Sequence, residues 1–426
     1  MSAPRTTARP LVALFTAGYL APYLLPTTVG RLDSGLALSA TQAGAVGSAL
    51  LLSSAAAGFV LASRVERVGA RTLARAGLGL AALGYGGAAL TTAVPAVVAG
   101  AVVGGFGSGT ATTVAAAGIA ARRDPHRAST LGLLGVCALA GAVYLVVPRL
   151  GPGHGLPLAA IALTALAVWP LTGRLPAGTA AAPRARRDDG GLPHRRPGLV
   201  LAGAVLCWSL AQNALWGVSG RIGLTQAHLS ETAVGAVLAA ALGAGLLGVA
   251  GAGVLGARLG RAVPVGAGTA AIAGCVAVSA CATGPVSFAG GEIVWNALYP
   301  VVLSHLIGLA ASLDPRGRWA VLVGSASSLG TAAGPLTGSV LSAQAGFPVM
   351  GLVLGAVLLV AAVPMTAVAL RADGRPLPSG AVRRRGRPLL AEPGAGAPGR
   401  PVVEIEVDGP AVPVRRAYGT AGSGTR

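Results

Sequence analysis

The chain has 426 residues, 53% hydrophobic and 11% charged, with a mean hydropathy of +0.71 and a formal net charge of +19. Soluble domains carry about 25% charged residues, so this composition excludes one. A bilayer core takes roughly 20 apolar residues per helix, and the chain is long enough for twelve crossings.

Apolar runs fall at 11–30, 41–62, 72–92, 96–121, 131–147 and 156–171, then at 199–219, 232–255, 265–282, 286–309, 320–341 and 347–370. The first run follows Arg5 and Arg9 and imitates a signal peptide. No small-residue cleavage site and soluble domain follow, so it reads as the first span. It carries Tyr19 and Tyr23 one turn apart, and run seven answers with Gln212 and Trp216 beside Asn213. Run four offers Ser108, Thr110, Thr112 and Thr113 among glycines. The polar segment 176–198 joins two sets of six, after which 371–426 reads as a disordered tail. The expected division is 1–10, 11–175, 176–198, 199–370 and 371–426. The architecture is all-α and integral to the membrane, with twelve transmembrane helices in two pseudo-symmetric six-helix bundles.

All 32 basic residues are arginine, and only Arg31, Arg149 and Arg221 fall opposite the termini. The positive-inside rule then places both termini in the cytoplasm of a bacterial-type plasma membrane. This distribution reads the charge as topology, so lipid is the expected partner and nucleic acid is not. Cys137, Cys207, Cys275 and Cys281 lie inside spans as packing residues, and no metal site is expected.

A shift of 191 residues lays Leu38, Ser39, Thr41, Gly44, Ala45, Val46 and Ala49 on Leu229, Ser230, Thr232, Gly235, Ala236, Val237 and Ala240. It also lays Arg67 and Gly69 on Arg258 and Gly260. Further on, Asp124, Pro125 and Arg127 answer Asp314, Pro315 and Arg318 with one residue of slippage. A parallel repeat of this kind puts the solute between the halves near the membrane midplane.

The loop after run two carries Glu66, Arg67, Gly69 and Arg71, with Ala62 at its head. It resembles the G-x-x-x-D-R-x-G-x-R loop of the major facilitator superfamily, and Arg258, Gly260 and Arg261 form a degenerate second copy with Ala257 at the acidic position. The resemblance implies a loop that gates the cytoplasmic side; the same arginines also satisfy the positive-inside rule. It further implies that spans one, four, seven and ten line the cavity. Two family features are missing. Ala101 stands where an arginine linked with proton coupling is often found, and run five lacks the antiporter proline. A similar pattern occurs in run eleven as Gly330, Gly334, Pro335 and Gly338, which reads equally as a packing groove or a hinge.

Of 13 acids and five histidines, only Glu292 and His305 lie well inside a run. At about 100° per residue, Asn296 and Tyr299 share the face of Glu292, with Trp295 at its border. Glu292 is expected to bind a proton or a cationic part of the solute, with these neighbours in the same site; a structural role near the outer end is the alternative. His305 reads as a packing histidine. No phosphate loop, paired catalytic carboxylates or activated nucleophile is present, so neither an enzyme nor ATP drive is expected. The expectation is a cofactor-free, monomeric secondary transporter that uses the proton gradient to export a small amphipathic compound by alternating access. Uptake of a small metabolite is the second reading, and a transport-inactive sensor or scaffold the third.

Overall fold

The computed structural model describes residues 8–36, 38–122, 124–175, 192–314 and 316–374, with the side chains at 66, 126 and 252–259 not described. The linker at 176–191, the tail beyond 374 and the side chains of Glu66 and Arg258 therefore lie outside the description. Among the described residues ten helices are long and apolar enough to cross a bilayer, and the pair Arg9–Tyr23 and Leu25–Gly35 makes one more span with a 48° bend. The helix Arg318–Asp373 holds two spans, because Gly346 leaves helical geometry at φ 77 and ψ 166. This gives twelve.

Span one is the bent pair. Spans two to six are Ala40–Leu61, Ala70–Leu90, Val94–Ala120, Pro125–Val146 and Leu156–Val168. Spans seven to ten are Arg195–Arg221, Glu231–Leu259, Ala262–Ala280 and Pro285–Leu313, and spans eleven and twelve flank Gly346. The fifth and seventh spans start several residues earlier than their apolar runs, since polar first-turn residues extend a helix beyond its hydrophobic stretch.

The repeat is visible in local geometry. Ser39 and Ser230 both cap helices, accepting from Gln42 N and Ala233 N at 3.3 and 3.2 Å. Asp124 accepts from Arg127 N, and Asp314 from Arg316 N and from Arg318 Nε. Gly69 and Gly260 both take positive φ, 95° and 63°, a turn that a side chain would strain.

Span one bends because Pro26 has no N–H and cannot serve the carbonyl four residues earlier, that of Pro22. Elsewhere small residues set the spacing. A Cβ on Gly105 or Gly109 of span four would strike the backbone carbonyls of Leu50 or Ser54 on span two. One on Gly330 or Gly338 would strike those of Leu206 or Ala214 on span seven, and Gly248 meets Ala297 in the same way. Such contacts let membrane helices pack backbone to backbone.

Gly338→Val should therefore cost about 1–3 kcal/mol of overpacking and lower the thermal midpoint of the detergent-solubilised protein. Gly274→Ala, with nothing within 4 Å of its would-be Cβ, should leave that midpoint unchanged.

Candidate functional site

Among the described residues the halves meet mainly along three helix pairs: spans one and seven, two and eleven, and five and eight. Between them lies a cavity lined by Tyr19, Tyr23, Asn213, Trp216 and Tyr299, which the sequence names, and by Ser54, Ser327, Ser328 and Thr331, which it does not. Thr112 of span four completes the hydroxyl wall. Among the described residues that line it, no side chain is charged.

Each span orients its share for a local reason. Trp216 Nε1 donates to the Pro22 carbonyl at 3.1 Å, taking the acceptor that Pro26 leaves without a helical donor. Asn213 Nδ2 donates to Ser209 O at 2.8 Å within its own helix and to Thr331 Oγ1 at 3.2 Å, which fixes spans seven and eleven together. Tyr299 stacks on Trp208 with ring centroids 5.1 Å apart and planes 19° from parallel. Span two and span eleven were missed because their contribution is small hydroxyls in alanine-rich and glycine-rich stretches. Ser327 and Thr331, one turn apart beside Gly330, were the available signal.

The expected polar stripe on span ten is split. Tyr299 reaches the cavity, whereas Glu292 does not line it and is 0% exposed. Its Oε1 takes hydroxyl donors from Ser219 of span seven at 2.8 Å and Ser279 of span nine at 2.7 Å. The face that shares Glu292 turns into the seam of spans seven, nine and ten, not into the gap between the halves. Asn296 Nδ2 donates to Glu292 O at 2.9 Å. Trp295 Nε1 donates to Gln212 Oε1 at 2.7 Å and meets Trp216 edge to face at 5.9 Å. Thus Gln212, Trp295, Asn296 and Glu292 form a polar layer behind the cavity wall. His305 is hydrogen-bonded to Val301 O within its own helix.

In the loop after span two, Arg67 is exposed. Arg71 donates to Leu175 O from Nε and Nη2 at 3.0 and 2.7 Å, clasping the end of span six within its own half. Gly69 and Gly260 make the matching turns, and Arg261 N donates to Asp373 Oδ2 at 3.1 Å. The glycine pattern of span eleven is a packing groove against span seven. Its proline meets Gly217, while the next residue, Leu336, donates its N–H to Ser48 Oγ of the other half at 2.9 Å.

In spans one, two, seven and eleven the cavity residues lie nearer the termini face and the cross-half contacts nearer the opposite face. Along span one the cavity takes residues 18–23, and Asp33 and Arg31 bridge farther on. Along span eleven it takes Ser327 to Thr331, and Pro335 and Ser339 pack against Gly44 farther on. The far face is closed above the cavity.

The Major Facilitator Superfamily profile matches residues 11–316. The chain belongs to the major facilitator superfamily. Its fold is similar to that of the human organic anion transporter MFSD10 (TETRAN), with a TM-score of 0.59 at 18% identity over 85% of this chain and 100% of that one. It is also similar to a point mutant of the nucleoside transporter NupG, with a TM-score of 0.64 at 15% identity over 85% of this chain and 99% of that one. No curated protein matches the chain. As a major facilitator protein it is a multi-pass membrane transporter of small solutes.

Trp216→Phe keeps a ring in the cavity wall and removes the donor to Pro22. Loss of a hydrogen bond worth about 1 kcal/mol should loosen the far-face closure roughly fivefold. The readout is faster labelling by an impermeant maleimide at Ser339→Cys, a buried position on the cross-half seam, in a background without native cysteines.

Proposed function

We propose that this transporter exports a small, uncharged amphipathic organic compound across a bacterial plasma membrane, driven by protons, as a monomer with both termini in the cytoplasm. The observation that carries the solute class is the cavity wall: tyrosine and tryptophan rings, small hydroxyls and one amide, with no charged side chain among its lining residues. Rings and apolar surface favour an amphipathic body, and the hydroxyls and Asn213 supply the few oriented polar contacts that fix it. A cation would enter this wall with no counter-charge, which costs several kcal/mol. The sequence-based expectation that Glu292 meets a cationic group is set aside, because the carboxyl faces away from the cavity.

Proton coupling is read from Glu292 itself. A buried acid within a membrane span is expensive to keep and marks a proton or ion pathway. Separate sites for proton and solute suit exchange through conformational change, since the two need not compete for the same atoms. Orientation follows the arginines: the face that carries the termini and nearly all the basic residues is the inner one. Uptake of a small polar metabolite is the second reading, favoured by the number of hydroxyls in the wall.

Vesicles with an imposed proton gradient and a panel of uncharged ring-bearing amides and alcohols, each paired with its quaternary ammonium counterpart, test this. The uncharged members should move, and the cationic ones at about one-hundredth of the rate or less. Glu292→Gln should lose gradient-driven accumulation. Preferential transport of the cations, or a coupled rate unaffected by Glu292→Gln, would contradict the reading.

A further inference from the structure

Among the described residues the far face carries two ion pairs that join the halves in reciprocal sense. Arg31 of span one, 5% exposed, holds Glu231 Oε2 of span eight at 2.7 Å. Its guanidinium also donates to the carbonyls of Gly151, Gly153 and Val147 at 2.7, 3.0 and 3.3 Å, which anchors it to its own half. Two residues along, Asp33 holds Arg221 Nε of span seven at 3.0 Å, and the Arg221 cation lies 5.5 Å from the Phe347 ring centroid. Arg31 and Arg221 are two of the three arginines that run against the topological charge signal, and both are spent on this clasp.

Span seven ties the clasp to Glu292. Within six residues it places Trp216 in the cavity wall, Ser219 on Glu292 and Arg221 on Asp33. It then winds into a π-helical turn, Ile222–Gln226, a geometry frequent at functional sites. Gln226 Nε2 donates to Ala280 O at 2.6 Å and Ala282 O at 3.1 Å, beside the Ser279 that serves Glu292. The outer ends of spans seven and nine are thus knotted around one carboxyl.

The knot fits the neutral form of that carboxyl. Ser219 has one hydroxyl proton and two acceptors in reach, Leu215 O at 3.0 Å and Glu292 Oε1 at 2.8 Å. A neutral acid donating from Oε1 to Ser219 frees that proton for Leu215 and leaves Ser279 donating to Oε1. Oε2 is buried without a partner. A neutral carbonyl oxygen tolerates that position far better than half of a carboxylate charge. The groups facing Glu292 are Ser219 on span seven, and Ser279 and the Cys275 thiol on span nine. On spans eight, eleven and twelve the described ionisable side chains, Glu231, Arg318, Arg371 and Asp373, sit at the helix ends.

We propose that Glu292, through Ser219 and the outer turn of span seven, is the proton-controlled release of an outer latch formed by Arg221–Asp33 and Arg31–Glu231. The closed latch holds the acid; loss of its proton makes the knot rearrange, draws Arg221 from Asp33 and frees the far face to open. This rests on the proton role given to Glu292 above.

Pulsed electron–electron distance measurements between spin labels at Thr92→Cys and Thr283→Cys, on opposite halves of the far face, read the latch directly. The native cysteines are replaced and the full chain is held in lipid nanodiscs. As pH rises the wild-type distance should shift to longer values. Glu292→Gln should hold the short distance throughout, although it keeps the outer-loop histidines His154 and His228. Ser219→Ala should lose the pH response. Arg221→Asp should give the long distance at every pH, and combining it with Asp33→Arg should restore the short one. A pH response in Glu292→Gln equal to wild type would overturn the latch, as would a short distance in Arg221→Asp. If vesicle flux loses its proton dependence in Glu292→Gln while the distances stay unmoved, the latch fails and the proton role stands. If flux ignores that substitution, the proton role fails first.

Discussion

A carbonyl released by proline inside a bilayer has no water to turn to, so it needs a donor from protein. In this transporter the needed donor comes from the other half of the molecule. Pro26 bends span one and exposes the Pro22 carbonyl, and the indole of Trp216 takes it. Past Pro335 in span eleven, the Leu336 N–H meets Ser48. The prolines of spans one and eleven therefore sit at points where the halves grip each other. The grip holds in the observed arrangement and must be given up in any other.

Around that constraint the remaining packing is divided by purpose. Within each half, glycines let backbones touch, as span four does with span two and span eleven with span seven. Those seams are too close to slide. Between the halves the ion pairs and the Trp216 and Leu336 hydrogen bonds sit toward one end, beside close glycine contacts at Gly44 and Gly235, so a rigid-body rocking motion has a defined set of contacts to break. Trp216 belongs to both the grip and the cavity wall, and it leans on Trp295, whose neighbour one turn back is the buried Glu292 layer. Solute, closure and carboxyl are thus joined by a short length of span seven.

The fold was legible because the repeat is written at positions where the backbone leaves no choice. Ser39 and Ser230 cap helices, Gly69 and Gly260 take left-handed turns, and Asp124 and Asp314 start spans, so these identities survive in alanine-rich surroundings where others mean little. The cavity was half legible. Rings at helical spacing in spans one and seven pointed to it, but Ser54 and Ser327 look like ordinary packing hydroxyls until neighbouring helices are placed. Glu292 was conspicuous by its charge and its depth. Its direction was not, since a helical face says which residues share a side and not which seam that side enters. The far-face ion pairs were hidden for a related reason: Arg31 and Glu231 are 200 residues apart, and only the docking of the halves makes them partners.

The central claim is that proton and solute occupy different places in one molecule. The most direct measurement is proton release from the purified protein, followed with a pH indicator, alongside tryptophan-fluorescence binding of an uncharged compound that vesicles show to be transported. The account predicts that wild type releases protons on binding, and that Glu292→Gln binds with the same affinity and releases none. Loss of binding together with proton release in Glu292→Gln would contradict it, since one shared site would then serve both.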